Sequence, residues 1–308
     1  MKKYLAMLLA VLMMFAVCAC GGDEPAPSAA PSAEPQPTEA VEKDYSKMTL
    51  DELKAELTTV EAGKLTVATS PDFAPYEFYA IDENDEPFLA GFDMDLAKLI
   101  ADKLGLELEV IPMDFDGTIS ELGAKKVDIS LAGYSPDPDR EDLMNFSEIY
   151  YKGGQSFWAT KATASKFTDL ASANNPDYVI GAQTGSIQSD LAKKNTPDAD
   201  LLDMSKVTDI IADMLAGKMD GAFIEDAVGK AYAVNYPDLV KVCDVPYDKE
   251  GSVVGVNKDN EVLLAAINII VTEAVADGTV DGFVKTANEL SSGNIYEGLL
   301  DEEGNVQG

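Results

Sequence analysis

Val127-Asp128-Ile129-Ser130-Leu131-Ala132-Gly133, followed by Tyr134-Ser135-Pro136-Asp137-Pro138-Asp139-Arg140, runs from a predicted strand into a predicted helix start. The first seven residues alternate in the manner of a strand. Asp137 then reads as a helix N-cap, with Pro138 at the first helical position. Arg140 is the only arginine in a chain of 308 residues that carries a net charge of −32 and no histidine. Arginine is chosen over lysine where a planar fork must grip a carboxylate or phosphate. A helix start adds free N–H groups and positive dipole. The stretch therefore predicts an anion clamp at a strand end. The alternative is Arg140 paired with Asp137, Asp139 or Glu141 on a solvated helix, an arrangement that contributes little.

Working outward, strands and helices alternate. Strands are expected at Leu65–Thr69, Leu106–Met113 and Val127–Gly133, with helices at Asp93–Leu104 and Thr118–Lys126 between them. Gln155–Lys161 then leads into a second unit. It has helices at Lys166–Ala173, Ser186–Lys194, Val207–Lys218 and Ala227–Val234, and strands at Tyr178–Gln183, Asp200–Asp203, Met219–Glu225 and Leu239–Cys243. Gly251–Lys258 is extended again, and Glu261–Asp277 and Val280–Leu290 are helical. Leu122–Ser130 echoes Leu215–Phe223: each is a helix end, a lysine, then a strand opening hydrophobic–Asp. The expectation is an α/β fold of two lobes, each a mostly parallel sheet flanked by helices. Two extended crossings near Gln155–Lys161 and Gly251–Lys258 would join them as a clamshell, with the ligand between the lobes.

The N-terminus is of another kind. Lys2 and Lys3 precede an apolar run, Leu5 to Val17, too short to span a bilayer comfortably. It ends Val17-Cys18-Ala19-Cys20-Gly21-Gly22, the pattern of a bacterial lipoprotein signal with Cys20 as the acylated residue. Residues 21 to about 45 are rich in Pro, Ala, Ser and Glu, which predicts an extended tether. The expected organisation is a signal peptide at 1–19, a lipidated tether at 20–47, a first lobe at 48–157, a second lobe at 158–252, and a return to the first lobe at 253–308. Cys20 and Cys243 would be the cysteines left after cleavage, so no internal disulfide is available, and Cys243 reads as a buried structural thiol. So acidic a chain would be repelled by nucleic acid and by anionic surfaces, which leaves a covalent lipid as its means of holding a membrane.

The segments that follow the strands converge on one kind of site. They are Ser70–Phe78, Asp114–Gly117 and Ala132–Arg140 in the first unit, and Gln183-Thr184-Gly185-Ser186 in the second, where Glu225 also ends a strand. The Thr-Gly-Ser turn between strand and helix is suited to an anion. Aromatics, one arginine, such a turn and a carboxylate are what a zwitterion needs. Phe73, Tyr76 and Phe115 could instead be core aromatics, and Glu225 with Asp226 a solvated pair.

Residues 64 to about 290 resemble the extracellular solute-binding proteins of family 3, the amino-acid receptors of ABC importers. The resemblance is carried by Phe73-Ala74-Pro75-Tyr76-Glu77-Phe78, Gly91-Phe92-Asp93-Met94-Asp95-Leu96-Ala97, Asp114-Phe115-Asp116-Gly117, Lys126-Val127-Asp128-Ile129, Ala132-Gly133-Tyr134-Ser135 with Arg140, and Phe146-Ser147 followed by Tyr150–Gly154. It implies a type II periplasmic-binding-protein fold with a two-strand hinge. It implies that Arg140 grips a ligand α-carboxylate, helped by Ser135 and the Thr184-Gly185-Ser186 turn after Gln183. The carbonyls near Ala132 and Gly133 and the carboxylate of Glu225 would hold the α-ammonium, and Phe73, Tyr76 and Phe115 would line the side chain. Glu225 departs from the aspartate common there. Ser70 replaces an acid frequent in relatives that bind basic amino acids or glutamine, which argues against a cationic ligand, although Asp72 and Asp116 stand close by.

The function expected is an extracytoplasmic, lipid-anchored receptor that captures a free amino acid and presents it to the permease subunits of an ABC transporter. It would be a monomer with no nucleic-acid partner, cofactor, metal or catalytic residue. The alternatives are a dehydratase-like enzyme in the same cleft, with Glu225 as its acid, and a sensory ligand-binding protein. The absence of histidine removes the commonest base and metal ligand.

Overall fold

The protein is described here by a computed structural model of residues 43–248 and 250–293. The signal segment, Cys20 and the tether up to residue 42 lie outside the described residues. Helix α1 (Leu50–Glu56) opens with a capping box. The Thr49 N–H donates to Glu52 Oε2 at 2.8 Å, and the Glu52 N–H donates to Thr49 Oγ1 at 3.4 Å.

The first unit continues with β1 (Lys64–Thr69), β2 (Asp72–Phe73), β3 (Glu77–Ile81), β4 (Pro87–Ala90), α2 (Phe92–Leu104), β5 (Glu107–Pro112), α3 (Phe115–Gly123), β6 (Ile129–Ser130) and β7 (Met144–Phe146). The second holds β8 (Gln155–Thr160), β9 (Val179–Gln183), α4 (Ile187–Asn195), β10 (Asp200–Met204), α5 (Val207–Leu215), β11 (Gly221–Glu225), α6 (Asp226–Asn235) and β12 (Leu239–Val245). The chain then returns through β13 (Gly255–Asn257), α7 (Glu261–Ala276) and α8 (Thr279–Ser291). The apolar face of α2, with Met94, Leu96, Ala97, Ile100 and Leu104, is buried, and Gly105 ends the helix in the left-handed region at φ 73°.

The two main sheets run β5-β1-β6-β13-β7 and β10-β9-β11-β8-β12. Each has a parallel part in the order second, first, third strand, followed by two antiparallel pairings. The echoed sequences enter the two third strands, β6 and β11, and their aspartates act alike. Asp128 Oδ2 accepts the Thr66 N–H of β1 at 2.9 Å, and Asp220 Oδ2 accepts the Val179 N–H of β9 at 2.9 Å. A carboxylate just before the third strand thus secures the start of the first in both lobes.

Several expectations are corrected. β8 belongs wholly to the second sheet and β13 wholly to the first, so the crossings lie between Phe146 and Gln155 and between Val245 and Gly255. These crossings pair with each other: Ser252 N–H donates to Tyr151 O at 2.7 Å and Tyr150 N–H to Ser252 O at 2.9 Å. The expected helix Lys166–Ala173 is instead two 3-10 turns, Ala164–Lys166 and Leu170–Ala173, because Asp169 and Ser172 form a capping box that starts the second turn afresh. The strand expected over Val127–Gly133 keeps ladder geometry only at Ile129–Ser130; Gly133, at φ 59°, turns the chain away. Cys243 is half-buried, not buried. β7 and the small β2-β3-β4 sheet were not anticipated.

Candidate ligand-binding cleft

The strand-end segments of the two lobes meet. From the first lobe come Phe73 and Tyr76, whose ring centroids are 5.3 Å apart and whose side chains are buried. Phe115 opens α3 and packs edge-on against Tyr134 at 5.4 Å. Ala132 is buried and Gly133 sits against Phe73: a Cβ at Gly133 would come within 2.8 Å of that ring. Ser135 is buried two residues further on.

Arg140 is only 7% exposed, which rules out the solvated helix. Its Nη2 donates across the cleft to Gly185 O at 3.0 Å. Its guanidinium carbon lies 5.6 Å from the Phe115 ring centroid and 5.9 Å from that of Tyr134, within cation–π range. Asp137 Oδ2 lies 4.0 Å from its Nε. The expected helix start is a three-residue 3-10 turn, Pro138–Arg140, capped by Asp137 through the Asp139 N–H at 3.0 Å. So short a turn supplies no macrodipole of consequence. Its contribution is to place the guanidinium.

From the second lobe, Gln183 ends β9 and Ser186 caps α4 through the Ser189 N–H at 3.3 Å. The turn between them does not present all its N–H groups. Thr184 N–H bonds Met204 O at 2.8 Å and Ser186 N–H bonds Gln183 O at 3.2 Å. The group of the turn that meets Arg140 is the Gly185 carbonyl. Gly185 also lies against the first lobe, where a Cβ on it would be 3.3 Å from Asp116 Cβ.

Glu225 ends β11 and caps α6, with Oε2 accepting the Val228 N–H at 2.9 Å and Oε1 the Gly154 N–H at 3.1 Å. A Cβ at Gly153 would meet Glu225 Oε1 at 2.4 Å and the Tyr76 hydroxyl at 2.7 Å, so the carboxylate, this glycine and the first-lobe tyrosine share one spot. Burial pushes the Glu225 carboxyl up to about 7, against the pull of the backbone donors. Asp226 differs. Burial opposes its ionisation, but Lys230, Lys241 and Ser156 hold it below the usual carboxylate range on the outer side of α6.

Two acids not expected there, Asp93 and Glu77, join the site, together with Asp72, the acid noted beside Ser70. Asp93 Oδ2 accepts the Gly133 N–H at 3.0 Å and Oδ1 the Tyr150 hydroxyl at 2.7 Å, which fixes the bend after β6. Burial pushes the Asp93 carboxyl up to about 6. Glu77, fully buried beside it, is driven well above the carboxylate range by burial and by the charges of Asp93 and Asp72. Asp72 accepts the Ser70 hydroxyl at 2.7 Å, so the serine standing at the often-acidic position is itself tied to an acid two residues on. The cue in the sequence was their place in the Ser70–Phe78 and Gly91–Ala97 segments; Gly133 and Tyr150, which hold Asp93, and Gln183, which holds Asp72, lie 40 or more residues away. Among the described residues, no group of three or more His, Cys, Asp or Glu side chains is placed to hold a metal ion.

Residues 65–286 match the family model of bacterial extracellular solute-binding proteins, family 3. The chain is 30% identical to the arginine-binding extracellular protein ArtP of Bacillus subtilis, over 85% of this chain and 88% of that one. It is 25% identical to the cyclohexadienyl dehydratase of Pseudomonas aeruginosa, over 59% of this chain and 67% of that one. Among solved structures, the amino acid ABC transporter substrate-binding protein AbpA of Streptococcus pneumoniae bound to L-arginine superposes with a TM-score of 0.72 at 28% identity, covering 79% of this chain and all of that one.

Proposed function

The chain belongs to the bacterial extracellular solute-binding proteins of family 3, and from that premise we propose that it captures an amino acid between its lobes and delivers it to an ABC importer. The observation that carries this reading is a buried first-lobe guanidinium bonded to a second-lobe turn, with a buried second-lobe carboxylate converging with a first-lobe tyrosine on Gly153. Arg140 exchanges its bond to the Gly185 carbonyl for the ligand α-carboxylate, which accepts from its fork. Glu225, ionised, takes the α-ammonium. Phe73 and Phe115 supply apolar walls. A ligand held by both lobes binds the closed state better than the open one and so drives closure.

Arginine is the first ligand to test. ArtP is named for it. The finer parts of the proposal are a monomer anchored through an acylated Cys20 and a cleft that performs no chemistry. The dehydratase relative and the raised Glu225 carboxyl favour an acid catalyst as the second reading. Binding is preferred because both Glu225 oxygens accept backbone N–H groups, an arrangement that supports the ionised form a cation needs. A thermal-shift panel of the twenty amino acids and cystine, followed by calorimetry, tests the proposal. A rise in apparent stability with one or a few amino acids supports it. No response to any of them, with turnover of a cyclohexadienyl acid, favours the enzyme.

A further inference from the structure

Helices α1, α4, α6 and α7 each begin with an N-cap side chain that accepts an N–H group of the first turn. Helices α2, α3, α5 and α8 do not, and α5, whose N-cap residue is Lys206, is the one of these that meets a carboxylate of the other lobe. The acceptor comes from the other lobe. Asp72 Oδ2, on β2 of the first lobe, accepts the N–H of Val207, the first residue of α5. The same oxygen accepts from Gln183 Nε2 at 3.2 Å, and Gln183 Nε2 also donates to Ser205 O at 3.1 Å. The Asp72 backbone carbonyl accepts the Tyr232 hydroxyl of α6 at 3.1 Å. Three second-lobe elements, β9, α5 and α6, thus converge on one first-lobe residue that is 7% exposed. Its other carboxylate oxygen takes the Ser70 hydroxyl at 2.7 Å.

We infer that Asp72 is an affinity-setting residue separate from the ligand contacts: its carboxylate is the N-terminal cap of α5, supplied in trans across the cleft, and it sets the closed-to-open ratio of the two lobes. When the lobes part, Val207 N–H and the Gln183 amide lose this acceptor together and must turn to water. A charged acceptor at a helix start is among the stronger hydrogen bonds a surface element can make. Val207, Gln183 and Ser70 are available with or without a ligand, so Asp72 acts on the ligand-free molecule as well as on the complex. Any ligand that needs the closed state then binds with an affinity scaled by the fraction closed. Gln183 changes role with this inference: its amide holds Asp72 and the end of β10, and need not reach the ligand. The inference rests on the receptor reading only in taking the lobes to open and close.

The test uses ligand-free protein, so it stands or falls separately from the choice of ligand. With a spin label on each lobe, the inter-lobe distance distribution of Asp72→Ala is compared with that of the unsubstituted chain. The expected result is a loss of the closed population, on the order of tenfold in the closed-to-open ratio. Identical distributions overturn the inference. Asp72→Ala combined with Lys206→Ser separates closure from folding, since the serine caps α5 from within its own lobe. The double variant should melt like the unsubstituted protein and still be open. A double variant that closes as the unsubstituted protein does overturns the inference even if Asp72→Ala alone fails to fold.

Discussion

Replacing Glu225 with glutamine should make the empty cleft close more readily while weakening amino-acid binding. In the closed cleft, burial holds the Glu225 carboxyl at about 7 against its usual 4.5. In an open cleft the carboxyl meets water and titrates near the usual value. Closing over an ionised, uncompensated Glu225 therefore costs about 3 kcal/mol at neutral pH, since each pH unit of difference is about 1.4 kcal/mol. The sign follows from linkage. The closed-state value is the higher one, so protonation favours closure. Ligand-free closure is fully favoured below about pH 4.5 and is lost as pH rises through about 7. Between pH 5 and pH 8 the closed-to-open ratio should fall on the order of 50-fold from this group alone. A ligand ammonium removes the penalty by compensating the charge, which makes closure conditional on the ligand. Glu225→Gln should flatten most of the pH dependence of the ligand-free distance distribution. The same variant should bind amino acids at least tenfold more weakly by calorimetry. A Glu225→Gln variant that keeps the full pH dependence, or binds as tightly as the unsubstituted chain, would refute the reasoning.

Arg140→Ala should lower amino-acid affinity by about a hundredfold or more with the circular dichroism spectrum unchanged, and Arg140→Lys should recover little, because an ammonium cannot reproduce the planar fork. Gly133→Ala should destabilise the fold by about 1–3 kcal/mol and lower the melting temperature by several degrees, since a methyl group there meets the Phe73 ring at φ 59°. Cys20→Ala should move the protein from the washed membrane fraction to the soluble one.

The strand–helix alternation and the two-lobe plan were legible because they rest on patterns local in sequence. The echo of Leu122–Ser130 in Leu215–Phe223 proved to have a physical cause: Asp128 and Asp220 hold the starts of β1 and β9 in the same way. Elements held together by side chains were less legible. β2 is two residues long, and the turn between β3 and β4 is closed by Asp82, whose Oδ1 accepts Asn84 N–H at 2.8 Å and Glu86 N–H at 2.9 Å. Neither leaves a periodicity to read. The helical spacing of Lys166–Ala173 was real, but local capping by Asp169 and Ser172 tightened it into 3-10 turns. Within the cleft, residue types pointed to Arg140 and Glu225, and Glu225 was told from Asp226 only once Lys230 and Lys241 were seen to take the latter. Asp72 could be seen as an acid near the site. That it caps α5 could not, because Val207 lies 135 residues further along the chain.

The central proposal is a cleft that grips the α-carboxylate of an amino acid with Arg140 and its α-ammonium with Glu225. The most direct measurement is calorimetry of the tightest-binding amino acid from the thermal-shift panel against its decarboxylated amine, for arginine this being agmatine. The amino acid should bind, and the amine, which keeps the side chain but offers the guanidinium nothing to hold, should bind about a hundredfold more weakly or not at all. Equal affinity for the two would contradict the assignment of Arg140 as the carboxylate clamp.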